Sequence, residues 1–414
     1  MIQYNQQTLM KKNSLIIISL LLALSLATTS TFAGPREQAK RIHDRIAGTP
    51  PSESVLTTME GYLSNADAND DIQAAYVALE DSSFYNVTLK NLVTPWTNEE
   101  QTAFASLNDY TATVIGMVRD DIPFNQLLSG DILYIGNSNL GLTGYSTTDN
   151  DHYVAMEEQN VDLKTGLVQT TQSAVMGLPT EATAGIITTR AAAKAFFIDG
   201  TNRAMFRFTL LNHLCTDLEQ IKDVSRPTDR IRQDVSRSPG GDSRIFLNAC
   251  VGCHSGMDPL VQAYAYYDYE YDDEADPDAV NGQLSYNADG TTDPFTGSRV
   301  KEKYRINASN FEYGYITTND NWTNYWRSGP NANLGWSTTL TGSGSGAKSL
   351  GEELANSHAF AQCQVKKVFQ TVCLRDPTTN NDNNEIIRIT DIFKNEGFSM
   401  KRVFAETALY CKGD

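Results

Sequence analysis

Residues 250–254 run Cys250-Val251-Gly252-Cys253-His254, a single Cys-x-x-Cys-His. This spacing attaches a c-type haem. Two thiols three residues apart can each form a thioether with one vinyl group of a porphyrin. The histidine that follows is carried under the iron, where its imidazole can serve as an axial ligand. With 6 Cys and 5 His in 414 residues, random scatter gives only about 0.001 such matches. A thioredoxin-like redox pair would want a βαβ pattern around it, which the surrounding periodicity does not show. Half of a zinc site would want two more ligands at short spacing, and Cys363 and Cys373 stand ten apart rather than two to four. We therefore expect one covalent haem c on Cys250, Cys253 and His254, with His254 on the iron.

The opposite face of the iron is not fixed by spacing. His152, His213, His358, Met156, Met176 and Met400 are all candidates for the sixth position. Met257 follows His254 too closely to reach across. Five arginines, Arg226, Arg230, Arg232, Arg237 and Arg244, are candidate partners for haem propionates, because the guanidinium fork matches a carboxylate. Their plainer use is as charge pairs of a solvated linker.

Haem of this type is attached outside the cytoplasm, so the chain should be exported. Lys11 and Lys12, the apolar run from Ser14 to Leu26 and the ending Thr31-Phe32-Ala33 predict a signal peptide over residues 1–33. The run is short for a membrane anchor, and no second apolar stretch of spanning length follows. We expect a periplasmic or secreted protein with no membrane span after cleavage. The net charge of −17 becomes about −19 once the two leader lysines are gone. Such a balance argues against nucleic acid as a partner and suits a basic redox partner protein.

Six cysteines in an exported chain divide into two for haem and four for disulfides. Cys363 and Cys373 share a predicted helix, where ten residues separate them by about 15 Å, too far for a bridge. Cys215 should then pair with one of them and Cys411 with the other, both choices remaining open.

Around these residues the pattern predicts a mainly α protein. Helical spacing covers Pro35 to Ile46, Leu56 to Leu63 and Ile72 to Leu79, with Asp67 as an N-cap. A further helix is predicted from Thr97 to about Val118, and a short one from Pro123. Residues 136–182, which hold His152, predict a long loop. Asn202 to Leu218 predicts an amphipathic helix. Asp242 and Ser243 cap a short helix that delivers Cys250, and Met257 to Leu260 turns the chain away. Tyr264 to Tyr271 predicts a strand. Gly342 to Ser349 imitates a phosphate-binding loop but has Ala347 before Lys348; a loop into a capping box, Ser349 with Glu352, fits better. One helix should run from Leu350 to about Leu374, then others over Ile386 to Phe393 and Met400 to Cys411. The chain thus divides into a signal peptide (1–33), a mostly helical N-terminal region (34–183), a haem-attachment region (184–260), an irregular Tyr/Trp/Asn-rich insertion (261–349) and C-terminal helices that complete the haem domain (350–414).

Several stretches also carry a family likeness: Pro123-Phe124-Asn125-Gln126-Leu127-Leu128, Ala184-Gly185-Ile186-Ile187-Thr188, Arg203 to Cys215, Cys250 to Leu260, and Leu350 to Arg375. With them, residues from about 123 to 411 resemble the planctomycete-type cytochrome-c-like domain families of unknown function. The resemblance implies a cytochrome-c-like helical haem domain in the periplasm and no settled reaction. It also implies that Met257 is not an iron ligand, since the family tolerates Ile there.

Three functions follow as expectations. The first is a monohaem c-type cytochrome that transfers electrons. The second is a haem enzyme of peroxidase or oxygenase type, with an open or weakly held sixth site and an acid–base group above it, for which His152 is the first candidate. The third is a haem-stabilised binding protein.

Overall fold

The computed structural model describes residues 33–65, 67–288 and 292–413. The expected leader, Ala33 excepted, lies outside the described residues. The fold is mainly α, at 54% helix and 7% strand. Among the described residues no helix is long and apolar enough to cross a membrane.

We number the helices of seven residues or more. The N-terminal group is α1 (Pro35–Ala47), α2 (Glu53–Leu63), α3 (Ala68–Leu79) and α4 (Asp109–Arg119). In the middle lie α5 (Asp151–Glu158), α6 (Arg190–Phe196), α7 (Arg203–Thr209) and α8 (Val251–Val261). The C-terminal group is α9 (Gly346–Ala355), α10 (His358–Cys373), α11 (Asn380–Asn395) and α12 (Met400–Tyr410). Three two-stranded antiparallel ribbons complete the fold: β1 (Leu133–Gly136) with β2 (Leu167–Thr170), β3 (Tyr267–Tyr271) with β4 (Gly282–Tyr286), and β5 (Asn321–Thr323) with β6 (Ser343–Ser345).

One apolar core runs through the molecule, from Ala39 and Ile42 of α1 to Phe404 and Ala408 of α12. The first three helices pack on one another, and α12 packs on α3 while also touching α10 and α11. Thus the C-terminal helices close the fold against the N-terminal ones as well as against the middle. Two disulfides fasten this arrangement: Cys215 to Cys363 on α10, and Cys373 at the end of α10 to Cys411.

Local chemistry explains most boundaries. Ser52, Asp67 and Asn108 each cap the helix that follows by accepting a backbone N–H. The helix predicted from Thr97 begins only at Asp109, because Asn108 claims the Thr111 N–H and starts the turn there. Residues 136–182 are more ordered than a loop: they contain α5 and β2, which pairs with β1 just before them. The single helix predicted from Leu350 to Leu374 is two. Asn356 ends α9, and Ser357 caps α10 by accepting the Phe360 N–H at 3.1 Å. Ser349 lies inside α9, where its hydroxyl accepts from Trp322 and donates to Ser345, so the predicted capping box does not form. Finally, Met257 to Leu260 does not turn away: α8 continues through Pro259 to Val261.

Candidate haem-attachment site

The segment that carries the motif is built in steps. Asp242 accepts the Arg244 N–H and starts one helical turn at Ser243. A π turn over Phe246–Cys250 follows, and α8 begins at Val251. Such a widened turn inserts one extra residue into the helical register. α8 is pressed against the buried indole of Trp326. A Cβ on Gly256 would stand 1.9 Å from Trp326 Nε1, so only glycine permits this approach. On the other side Trp326 meets Phe206, with ring centroids 5.9 Å apart. One face of the helix thus closes on its neighbours at two glycines, on Trp326 at Gly256 and on Lys222 and Asp223 at Gly252.

Cys250, Cys253 and His254 border one cleft of about 300 Å³ together with Arg207, Leu218 and Met257. Both thiols are partly exposed, and they are the two cysteines that form no disulfide. Cys253 Sγ donates to the Leu218 carbonyl at 3.6 Å. Burial, with Glu219 and Asp217 nearby, pushes the Cys253 thiol up from its ordinary value. Ile245, Leu247 and Val224 are exposed apolar side chains beside the motif, 45%, 57% and 69% accessible. A large apolar ring covalently attached here would find such surface.

His254 is held from behind. Its Nδ1 lies 3.1 and 3.2 Å from the two carboxylate oxygens of Asp258, one helical turn on. Among the described residues its Nε2 has no hydrogen-bond partner. Asp258 is fully buried, and a bidentate Arg203 reaches it at 2.9 and 3.0 Å. Burial alone would raise the Asp258 carboxyl; Arg203, the His254 hydrogen bond and Arg232 outweigh it and hold the carboxyl well below the usual range. The carboxylate is therefore an acceptor, Nδ1 is the donor, and the lone pair of His254 is on Nε2. These residues fit a c-type haem: two free thiols, one imidazole with its outer nitrogen available, and a carboxylate that fixes the ring.

The candidates for the sixth position lie elsewhere. His152 spends both ring nitrogens on backbone: Nε2 accepts from the Gly136 N–H at 2.8 Å and Nδ1 donates to the Thr143 carbonyl at 2.6 Å. That leaves it neither an iron ligand nor an acid–base group. Met156 is buried beside it against Gly136. Met400 is buried at the start of α12, and Met176 packs on the main core. His358 opens α10 and borders a different cleft, with Cys215 and Asn333. His213 is fully buried among Tyr110, Trp96 and Phe360, its Nε2 bonded to the Tyr110 hydroxyl at 2.8 Å. None of the six borders the cleft of His254.

Burial, reinforced by Lys367, lowers the His213 pKa to about 3. An unfolded imidazole binds a proton below about pH 6.5, whereas folded His213 stays neutral until about 3. Stability should therefore fall as pH drops through that window, by several kcal/mol at its lower end. Denaturant titrations from pH 7 to pH 4 should show a steeper loss for the wild type than for His213→Gln. Parallel curves would assign the acid sensitivity to other groups.

The arginines offered for propionates are engaged elsewhere. Arg226 pairs with Asp223, Arg244 with Asp242, and Arg230 bonds the Tyr315 hydroxyl. Arg232 is buried against Tyr304, and Arg237 stacks between Phe246 and Phe311. The arginine at the cleft is Arg207, paired with Asp217.

No family model, curated protein or solved structure matches the chain. The site therefore stands on its own residues. Asp258 and Arg203 are the members that the spacing alone did not reveal; a helix continued through Pro259 would have placed Asp258 at i+4 from His254, where a partner belongs.

Proposed function

We propose that this chain is an exported monohaem c-type cytochrome, with haem joined to Cys250 and Cys253 and His254 on its iron. One observation carries the reading: the two unbridged thiols border the same cleft as a histidine whose inner nitrogen is tied back and whose outer nitrogen is available. When bound, the haem would supply one-electron redox chemistry. The protein's part is to orient His254, to tether the ring through two thioethers, and to bring the iron near the surface, since the motif is partly exposed. We read the helical core as a cytochrome-c-like domain of the kind that its motifs resemble. Electron transfer in the periplasm with a redox partner protein is the first reading, and the overall acidity suits a basic partner. Two disulfides are in keeping with an oxidising compartment.

A second reading is favoured by a different observation. None of the six candidate ligands borders the His254 cleft. A haem enzyme of peroxidase or oxygenase type keeps that position open or weakly held, and His152 is not its acid–base group.

The test is visible spectroscopy on protein exported by a host that matures c-type haem, beside a denaturing gel stained for haem. Covalent stain with a low-spin spectrum in both redox states supports electron transfer. Covalent stain with a high-spin spectrum that shifts on adding cyanide or carbon monoxide supports the enzyme. Absence of covalent haem from correctly exported protein overturns both.

A further inference from the structure

We infer that Asp258, clamped by Arg203, is the positioning residue that sets the electron donation of His254 to the iron; the inference rests on the haem reading above.

The geometry is a chain of charges behind one imidazole. His254 Nδ1 donates to the Asp258 carboxylate, 3.1 Å from Oδ1 and 3.2 Å from Oδ2. Arg203 Nε reaches the same Oδ1 at 2.9 Å, and Nη2 reaches Oδ2 at 3.0 Å. The backbone N–H of Arg232 adds a contact to Oδ2 at 3.3 Å. Arg203 turns its remaining edge to Asp234, with Nη2 at 3.1 Å from Oδ1 and Nη1 bonded to Oδ2. The guanidinium of Arg232 is buried too, 4.0 Å from Asp234, over the Tyr304 ring and bonded to the Thr201 hydroxyl at 2.6 Å. Two carboxylates thus face two guanidiniums, Asp258 and Arg232 buried, Arg203 and Asp234 partly so, and the group is close to neutral as a whole.

A charge cluster of this size, half of it fully buried, is costly to assemble. The fold makes it from three separated stretches: Thr201 with the start of α7, residues 232–234, and α8. Holding a helix in place needs no such device, since Trp326 and Gly256 already pack α8 tightly. What the cluster uniquely does is present a full carboxylate to one imidazole N–H. A carboxylate behind a ligating histidine fixes its tautomer and orientation and raises its basicity. A more basic ligand favours ferric over ferrous iron, so the carboxylate lowers the reduction potential. Arg203 works against it, because it draws on the same two oxygens. The donation is therefore set by a balance: Asp258 pushes charge toward the ring, and Arg203 limits how much arrives.

The experiment compares Asp258→Asn and Arg203→Lys with the wild type, each isolated with haem. Asn keeps the shape and an acceptor oxygen but removes the charge; Arg203 keeps Asp234 as a partner, so the fold has a route to survive. At a fixed solution potential the reduced-to-oxidised ratio should rise at least tenfold in Asp258→Asn, which is about 59 mV for one electron. In Arg203→Lys, which keeps the charge but loses the fork, the ratio should fall. Where the iron is five-coordinate, the iron–histidine stretch in resonance Raman should drop in Asp258→Asn. Covalent haem with a ratio within twofold of wild type in both variants overturns the inference and leaves the haem reading standing. Wild-type protein without covalent haem overturns the haem reading itself. If Asp258→Asn does not fold, Arg203→Lys alone decides: a ratio unchanged or raised sinks the balance argued here.

Discussion

Replacing Cys250 and Cys253 together with serine is expected to remove all covalent haem from the exported protein and to leave the polypeptide folded as well as wild-type protein prepared without haem. The first half follows from chemistry. A thioether to a vinyl group needs sulfur, and the other four cysteines are bridged to one another, so no other thiol can substitute. The second half follows from position. The main core runs from α1 to α12 without either residue. Cys250 borders only a small cluster of Ile231, Val235, Phe246 and Val251, and Cys253 makes one weak sulfur hydrogen bond. Serine is close in size and keeps a donor, so each site should lose on the order of 1 kcal/mol or less. Two measurements check this independently. A haem-stained denaturing gel should lose its band. Thiol titration of unfolded, unreduced protein should find two free thiols in haem-free wild type, none in mature wild type and none in the double variant. Zero free thiols in haem-free wild type would mean that the pair closes on itself when haem is absent, as an oxidising compartment favours.

The difference between what spacing revealed and what it missed is physical. Covalent and near-local devices were legible. The Cys-x-x-Cys-His motif is five consecutive residues, the N-terminal helices announce themselves through their apolar spacing and Asp67, and the cysteine pairing is narrowed by two thiols fixed on one helix. The structure resolves the remaining choice as Cys215 with Cys363 and Cys373 with Cys411. Features decided by tertiary contact were not legible. Pro259 disfavours helix in the residue before it, yet Asp258 stays helical because His254 and Arg203 bind its carboxylate and fix it there. The Leu350 to Leu374 helix breaks at Ser357, whose competing role as a cap outweighs a periodicity that continues through it. His152 looked free in a polar stretch; it is consumed by the backbone of Gly136 and Thr143, contacts that a loop prediction cannot contain. Arg203 was visible only as part of an amphipathic helix, because its partners lie 31 and 55 residues away.

The largest stability loss is expected from breaking the Cys215–Cys363 bridge. Its closed loop spans a sequence separation of 148, against 38 for Cys373–Cys411. In the chain-entropy account such loops stabilise by about 5 and about 4 kcal/mol respectively. Against a typical net stability of roughly 5–15 kcal/mol, either loss is severe, and the first should bring the protein close to unfolding at ambient temperature. The position of the bridge sharpens the argument. Cys215 sits in a left-handed conformation, at φ 52°, just after the π turn that extends α7. Its partner is in the first half of α10, which is packed into the main core. The loop so closed contains α8, both ribbons after it and Trp326, so the bridge ties the whole stretch that carries the Cys-x-x-Cys-His motif to a rigid helix. Denaturant unfolding of Cys215→Ser/Cys363→Ser and of Cys373→Ser/Cys411→Ser, each at neutral pH, should rank the first as the less stable. A reversed ranking would mean that local packing around Cys373 and Cys411, where α10 meets α12, outweighs loop closure. Because α7 also supplies Arg203, the first variant should in addition shift the spectrum of the attached haem, while the second, remote from α7, should leave it unchanged.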